Sequence, residues 1–265
     1  MTKTSKLLLT ALSLAMMLIL TSCSPYKNAL NKIQKAKASN ATELDLSRLN
    51  LTVLPPEIGE LTSLKKLNLL NNKLTSLPPE ITNLTSLTEL NVSSNPLTTL
   101  PPEIIELTSL TELLIGLNKL SSLPPEIGKL TSLTKLDIRS NRITALPPEI
   151  GKLTSLTELN CIYNCLTALP PEIGQLNSLT KLIAFSNDLT ALPPEIGKLT
   201  SLSKLDICSN ELKVLPQSIT QLNMDISCKA GDTPGINLFH NPLEAPPIEV
   251  VKQGKDAIKA WFDNH

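Results

Sequence analysis

The tetrapeptide Pro-Pro-Glu-Ile begins at Pro55, Pro78, Pro101, Pro124, Pro147, Pro170 and Pro193, each copy 23 residues after the last. A Leu-(Thr/Asn)-Ser-Leu stretch and a Leu-x-x-Leu-x-apolar run follow every copy. A unit this short cannot bury its own apolar side, so a strict period demands that neighbouring copies stack and share one continuous core. The expected architecture is a solenoid, and a solenoid offers a long surface more readily than a catalytic cleft.

The repeat fills most of the 265 residues, which leaves room for one domain. Apolar residues make up 41% and aromatics 2%, so the shared core is aliphatic. Formal net charge is zero, and without Lys3 and Lys6 it becomes −2, from 22 basic and 24 acidic residues. No block of Lys and Arg stands out, so nucleic acid is not an expected partner. No Gly-rich phosphate loop follows a strand, and His240 and His265 are the only histidines. With no inward carboxylate pair either, the expectation is a non-enzyme without small-molecule substrate, cofactor or metal.

The first residues stand outside the repeat. A basic start at Lys3 and Lys6 leads into a mainly apolar stretch from Leu7 to Leu20, 14 residues long and short for a membrane span. Leu20-Thr21-Ser22-Cys23 then resembles the lipobox of bacterial lipoproteins, in which the Cys is acylated and becomes the first residue of the mature chain. That resemblance implies a signal peptide over 1–22, lipidation at Cys23, and a place in the cell envelope held by acyl chains. Ser24, where Asp would favour inner-membrane retention, leans toward the outer membrane or cell surface. In an oxidising compartment a Cys208–Cys228 bridge is a candidate, and Cys161 falls in an inward apolar slot.

Aligned on their first apolar position, the repeats open at Ala41, Leu64, Leu87, Leu110, Leu133, Leu156, Leu179 and Leu202. Each follows L-x-x-L-x-L-x-x-N-x-L, as at Leu133, Leu136, Ile138, Asn141 and Ile143. The apolar-x-apolar step predicts a short strand with one buried side, and stacked strands form a parallel sheet along one wall. Each Pro-Pro must leave the ladder, and its second Pro and the following Glu suit the start of a helical turn on the opposite wall. At these residues the chain resembles the leucine-rich repeat family, over about residues 41–247, and most closely its 23-residue Ras-group and bacterial type. The resemblance implies a curved α/β solenoid, with Asn72, Asn95, Asn118, Asn141, Asn164, Asn187 and Asn210 hydrogen-bonding the backbone of adjacent coils. Leu49 takes that place in the first repeat.

Both ends need covers. Residues 23–40 are expected to form an N-terminal helical cap, with Tyr26, Leu30, Ile33 and Lys37 at helical spacing, Ser24-Pro25 at its start and Ser39-Asn40 at its end. The repeat domain runs to 247, about nine repeats with an insertion near 225–232. Residues 248–265 are expected to close it as one amphipathic helix, with Trp261 as a plug in the core.

The outward strand positions are small or polar with a concentrated set of exceptions. The only aromatics outside the caps, Tyr163, Phe185 and Phe239, all fall there. Ile162 and Ile183 lie on the same coils as Tyr163 and Phe185, Arg139 one coil earlier, and Leu114 and Leu117 one coil earlier still. Such a cluster with a polar rim is the composition of a protein recognition site. Relaxed surface substitution, with strand-favouring hydrophobes tolerated, is the competing explanation. The column of Glu43, Lys66, Glu89, Glu112, Lys135, Glu158, Lys181 and Lys204 is expected to be a solvated, ion-paired edge. The functional expectation is a lipid-anchored envelope module that binds a protein partner through its concave sheet. A structural envelope component without a discrete ligand, or a secreted effector imitating eukaryotic scaffolds, are the alternatives.

Overall fold

The computed structural model describes residues 24–227 and 234–265. The candidate signal peptide and Cys23 lie outside the described residues, as does Cys228 with most of the insertion. Each coil contributes a three-residue parallel strand: β1 (Glu43–Asp45), β2 (Lys66–Asn68), β3 (Glu89–Asn91), β4 (Glu112–Leu114), β5 (Lys135–Asp137), β6 (Glu158–Asn160), β7 (Lys181–Ile183) and β8 (Lys204–Asp206). Register is fixed at one coil per strand, Leu90 beside Leu113 and Leu113 beside Leu136. Opposite the sheet, each Pro-Glu-Ile forms a five-residue 3-10 turn with Pro at its first position and Glu in its first turn, as at Pro148–Lys152. Between the two walls lies one aliphatic core of Leu and Ile, nearly all inaccessible to solvent.

A buried Asn closes each coil. The Asn141 Oδ1 accepts from the Leu120 N–H at 3.0 Å, in the coil before, while its Nδ2 donates to Ile115 O at 3.1 Å and to its own coil at Ile138 O, 2.9 Å. The same three bonds recur at Asn95, Asn164 and Asn210. Leu49, lacking the side-chain amide, receives compensation from the next coil, since its N–H donates to Asn72 Oδ1 at 3.1 Å.

Glycine decides how tightly the convex wall packs. A Cβ on Gly151 would lie 2.5 Å from Glu172 O and 2.8 Å from Glu172 Cβ in the next turn, closer than real atoms come. Thr82 and Ile105 occupy the equivalent positions of two turns. Those turns, Pro79–Asn83 and Pro102–Glu106, pack less closely on their successors than the glycine-bearing ones do. The sheet side stays locked by its ladder, so the extra width on the convex side bends the solenoid more sharply over β2–β4.

Three details of the ends differ from the sequence-based expectation. The N-terminal helix α1 (Pro25–Ala38) starts where expected, with the Ser24 hydroxyl accepting from the Lys27 N–H. It buries Ala29, Ile33 and Ala36, with Tyr26 and Lys37 exposed. Small alanines let the helix approach the first coil closely, and Lys32 Nζ donates to Asp45 O on the open edge strand at 3.0 Å. At the far end the insertion supplies a strand: β9 (Ile226–Ser227) lies outside β10 (Gly235–Asn237), which itself pairs with β8. The C-terminal segment is two helices, α2 (Ile248–Val251) and α3 (Lys255–Asp263), separated at Gly254 with φ +96°. Trp261 is not the plug. Val251 and Ile258 are buried, Phe262 packs against the core, and half-buried Trp261 stacks on His265 at 4.5 Å.

Replacing Asn141 with Ala leaves a buried N–H and two buried carbonyls without their side-chain partner. We expect a loss of about 3–5 kcal/mol in urea denaturation; a loss below about 1 kcal/mol would contradict the role assigned to the Asn column.

Candidate binding face

The concave face is built from a repeated backbone device. The last strand residue of most coils is Asp or Asn, whose Oδ1 accepts from the N–H two residues on: Asp137 from Arg139 at 3.1 Å, Asn160 from Ile162 at 3.2 Å, Asp206 from Cys208 at 3.3 Å. Such a side-chain-to-backbone bond turns the chain out of the strand. The next residue then adopts left-handed backbone in every coil, from Arg48 (φ 57°) through Leu117 (56°) and Tyr163 (52°) to His240 (54°). Most coils put Ser or Asn there. Leu117 and Tyr163 are large side chains in a conformation that disfavours them by about 1–2 kcal/mol, and they are 50% and 57% exposed.

Leu114 and Ile183 stand where the other coils carry the acceptor, so the N–H groups of Gly116 and Phe185 go without it. Both side chains are half-buried on the concave face. The structure divides the predicted site residues into two groups. In the C-terminal half Tyr163 and Phe185 meet edge to face, centroids 5.3 Å apart at 77°, with Ile162 and Ile183 half-buried on the same two coils. Phe239 is two coils further along, half-buried and stacked on His240 at 3.8 Å. Arg139, on the preceding coil, is exposed and reaches Asp137 Oδ2 at 3.6 Å. A Cβ on Gly116 would lie 2.9 Å from Arg139 Cγ, so the absence of a side chain there lets the Arg lie flat.

Leu114 belongs to the other group. It lines a groove of about 480 Å³ over β1–β4, together with Glu43, Asp45, Lys66, Glu89, Asn91 and Glu112. Sequence reasoning did not single out this groove; its only cue was the pair Thr82 and Ile105 in place of glycine on the wall behind it. Within it Lys66 bridges Glu43 at 4.0 Å and Glu89 at 2.8 Å. The hydrogen bond from Glu89 holds the Lys66 ammonium above its usual range. The Asp45 carboxyl is held below the usual range, mainly by the Ser47 N–H. Further along the same column Lys181 lies 3.8 Å from Glu158. These exposed pairs contribute about 0–1 kcal/mol each.

Comparison with known proteins agrees with this geometry. Residues 114–188 match the leucine-rich repeat region family and residues 39–97 the leucine rich repeat family. The LRR protein LIC12759 of Leptospira interrogans is 32% identical, with TM-score 0.56 over 80% of this chain and 68% of that one. The chain belongs to the leucine-rich repeat family. This leucine-rich repeat chain is also similar to two plant receptors. The Arabidopsis receptor kinase HAESA, solved with the peptide hormone IDA and the co-receptor SERK1, is 31% identical with TM-score 0.67, over 78% of this chain and 35% of that one. The plant peptide hormone receptor RGFR1, in complex with RGF2, is 31% identical with TM-score 0.61, over 73% and 30%. The chain thus spans about a third of those receptor chains. No curated protein matches it.

Three described cysteines of the leucine-rich repeat domain sit in three environments. Cys161 is fully buried in the core, and burial pushes its thiol well above the ordinary range. Cys208 is half-buried on the concave face, its thiol pushed up to about 11 by burial and a hydrogen bond to Asp206. Cys165 is exposed. Among the described residues no cluster of His, Cys, Asp and Glu is arranged to hold a metal ion. In native-state maleimide labelling read by peptide mass spectrometry, Cys165 is expected to react within minutes and Cys161 only on unfolding. Equal reaction of the two would contradict the coil register.

Proposed function

We propose that this leucine-rich repeat chain is a non-enzymatic interaction module that holds a polypeptide partner on the C-terminal half of its concave face. The observation that carries this reading is the Tyr163–Phe185 pair. Tyr163 keeps more than half its surface in water, occupies a backbone conformation that disfavours it, and rests edge-on against an aromatic from the next coil. Ile162 and Ile183 extend the apolar ground around the pair, and Arg139 supplies a charged rim beside it. Aromatics and Arg at the centre of a polar surface are the residues that anchor protein partners. The peptide complexes of HAESA and RGFR1 support a polypeptide as the class of ligand.

The sequence before the first coil supports attachment to a bacterial envelope through an acylated Cys23, with α1 beginning two residues later. Attachment at that point sets the first coil close to the lipid surface and points the apolar cluster away from it. Metabolic labelling with a palmitate analogue should tag the wild-type chain and not Cys23→Ser; an untagged wild-type chain overturns the anchor.

Binding is tested by Tyr163→Ser/Phe185→Ser. Ser already occupies the equivalent positions at Ser140, Ser186, Ser47 and Ser93, so the melting temperature should change by less than about 4 °C. Crosslinking pull-down from solubilised envelopes should recover a partner with the wild-type chain and lose it with the double variant. Recovery of the same protein by both would overturn the assignment of the site.

A further inference from the structure

A second surface lies on the flank of the solenoid, where the chain leaves each strand for the convex turn. One residue past the repeated Asn, successive coils place Lys73, Lys119 and Arg142 before Cys165, then Asp188 and Glu211 after it. All six are exposed. The column is evenly stacked, because each N–H donates to the coil before: Arg142 to Leu120 O at 2.8 Å, Cys165 to Ile143 O at 3.0 Å, Asp188 to Leu166 O at 3.0 Å. One step is therefore one coil, about 4.8 Å. Among the described residues, none of the five charged side chains takes part in an ion pair or hydrogen bond within the chain.

Counted outward from Cys165, the column is its own complement with the sign reversed. One step before stands Arg142, and one step after, Asp188. Two steps before stands Lys119, and two steps after, Glu211. The third step is proline on both sides, Pro96 and Pro242. A two-fold axis through Cys165, perpendicular to the column, sets each cation against an anion of a second copy. Curvature does not prevent this, because an arc is unchanged by rotation about its own radius. The flank beside Cys165 carries small exposed residues, Thr167 and Ala168, that leave room for close approach.

We infer that this flank docks against a second copy of the chain in antiparallel register, Arg142 facing Asp188 of the partner subunit and Lys119 facing Glu211 of the partner subunit. Such an interface is isologous: the same strip serves both copies. Its pairs are exposed, so the dimer is weak and sensitive to salt. It leaves the concave faces free, and it stands independently of the binding site proposed above.

The test uses the full-length chain in non-ionic detergent, with sedimentation velocity and a short bis-maleimide that joins thiols by addition. The wild-type chain should form a concentration-dependent dimer whose dissociation constant rises at least about tenfold between roughly 50 and 500 mM salt. The maleimide should link Cys165 to Cys165, with Cys165→Ser unlinked. Arg142→Asp should abolish the dimer, and Arg142→Asp/Asp188→Arg should restore it, since the swap rebuilds every pair. Tyr163→Ser/Phe185→Ser should dimerise as the wild type does. A chain that stays monomeric at about 0.5 mM in low salt overturns the inference. So does a dimer indifferent to Arg142→Asp, or one lost with the concave double variant.

Discussion

An asparagine side chain at the inner bend of each coil is the interaction on which the rest of the molecule depends. Leaving the strand for the convex wall forces the chain through a dry corner, where backbone groups cannot all find partners in the ladder. One carboxamide supplies an acceptor and two donor hydrogens there, and it addresses two coils at once. Because its partners lie at fixed offsets in the coil before, it ties the backbone to a single register. Every surface column follows from that register: the concave aromatics, the groove and the charged flank exist as columns only while the coils do not slip.

Local curvature is a second consequence, set from the convex side. The sheet spacing is held by backbone hydrogen bonds, so the freedom to bend lies in how closely the 3-10 turns approach. Glycine allows contact with the next turn's carbonyl, and Thr82 and Ile105 do not. The groove over β1–β4 faces the stretch where those two wedges sit. The C-terminal half packs its glycine-bearing turns tightly and carries the Tyr163–Phe185 cluster on a flatter wall. The two halves of one face thus differ in shape as well as chemistry.

Much of this was legible before any coordinates. A period of 23 with Leu at fixed offsets determines which side chains point inward, and Cys161, Asn72 and the strand faces lie where the alternation put them. The parts that were not legible have physical causes. Left-handed backbone at Leu117 and Tyr163 leaves no mark in residue type, because most such positions carry Ser or Asn and these two do not. The helix stripe at α1 runs through Ala29 and Ala36 because close approach favours small side chains over the larger apolar ones that periodicity highlights. Trp261 looked like a plug by size, yet Gly254 breaks the terminal helix and turns Ile258 inward in its place. The insertion returned as β9, since the last repeat strand offers unpaired backbone groups to any extended segment nearby.

Backbone amide hydrogen exchange, resolved residue by residue, reaches the central claim most directly. The N–H groups of Leu97, Leu120, Ile143, Leu166 and Leu189 face no strand partner, and their acceptor is the Asn Oδ1 of the following coil. In a stack locked by those side chains they exchange only through global unfolding, as slowly as the strand amides. Exchange at the rate of exposed turn amides, with the strands still protected, would show that asparagine does not hold the coils in place.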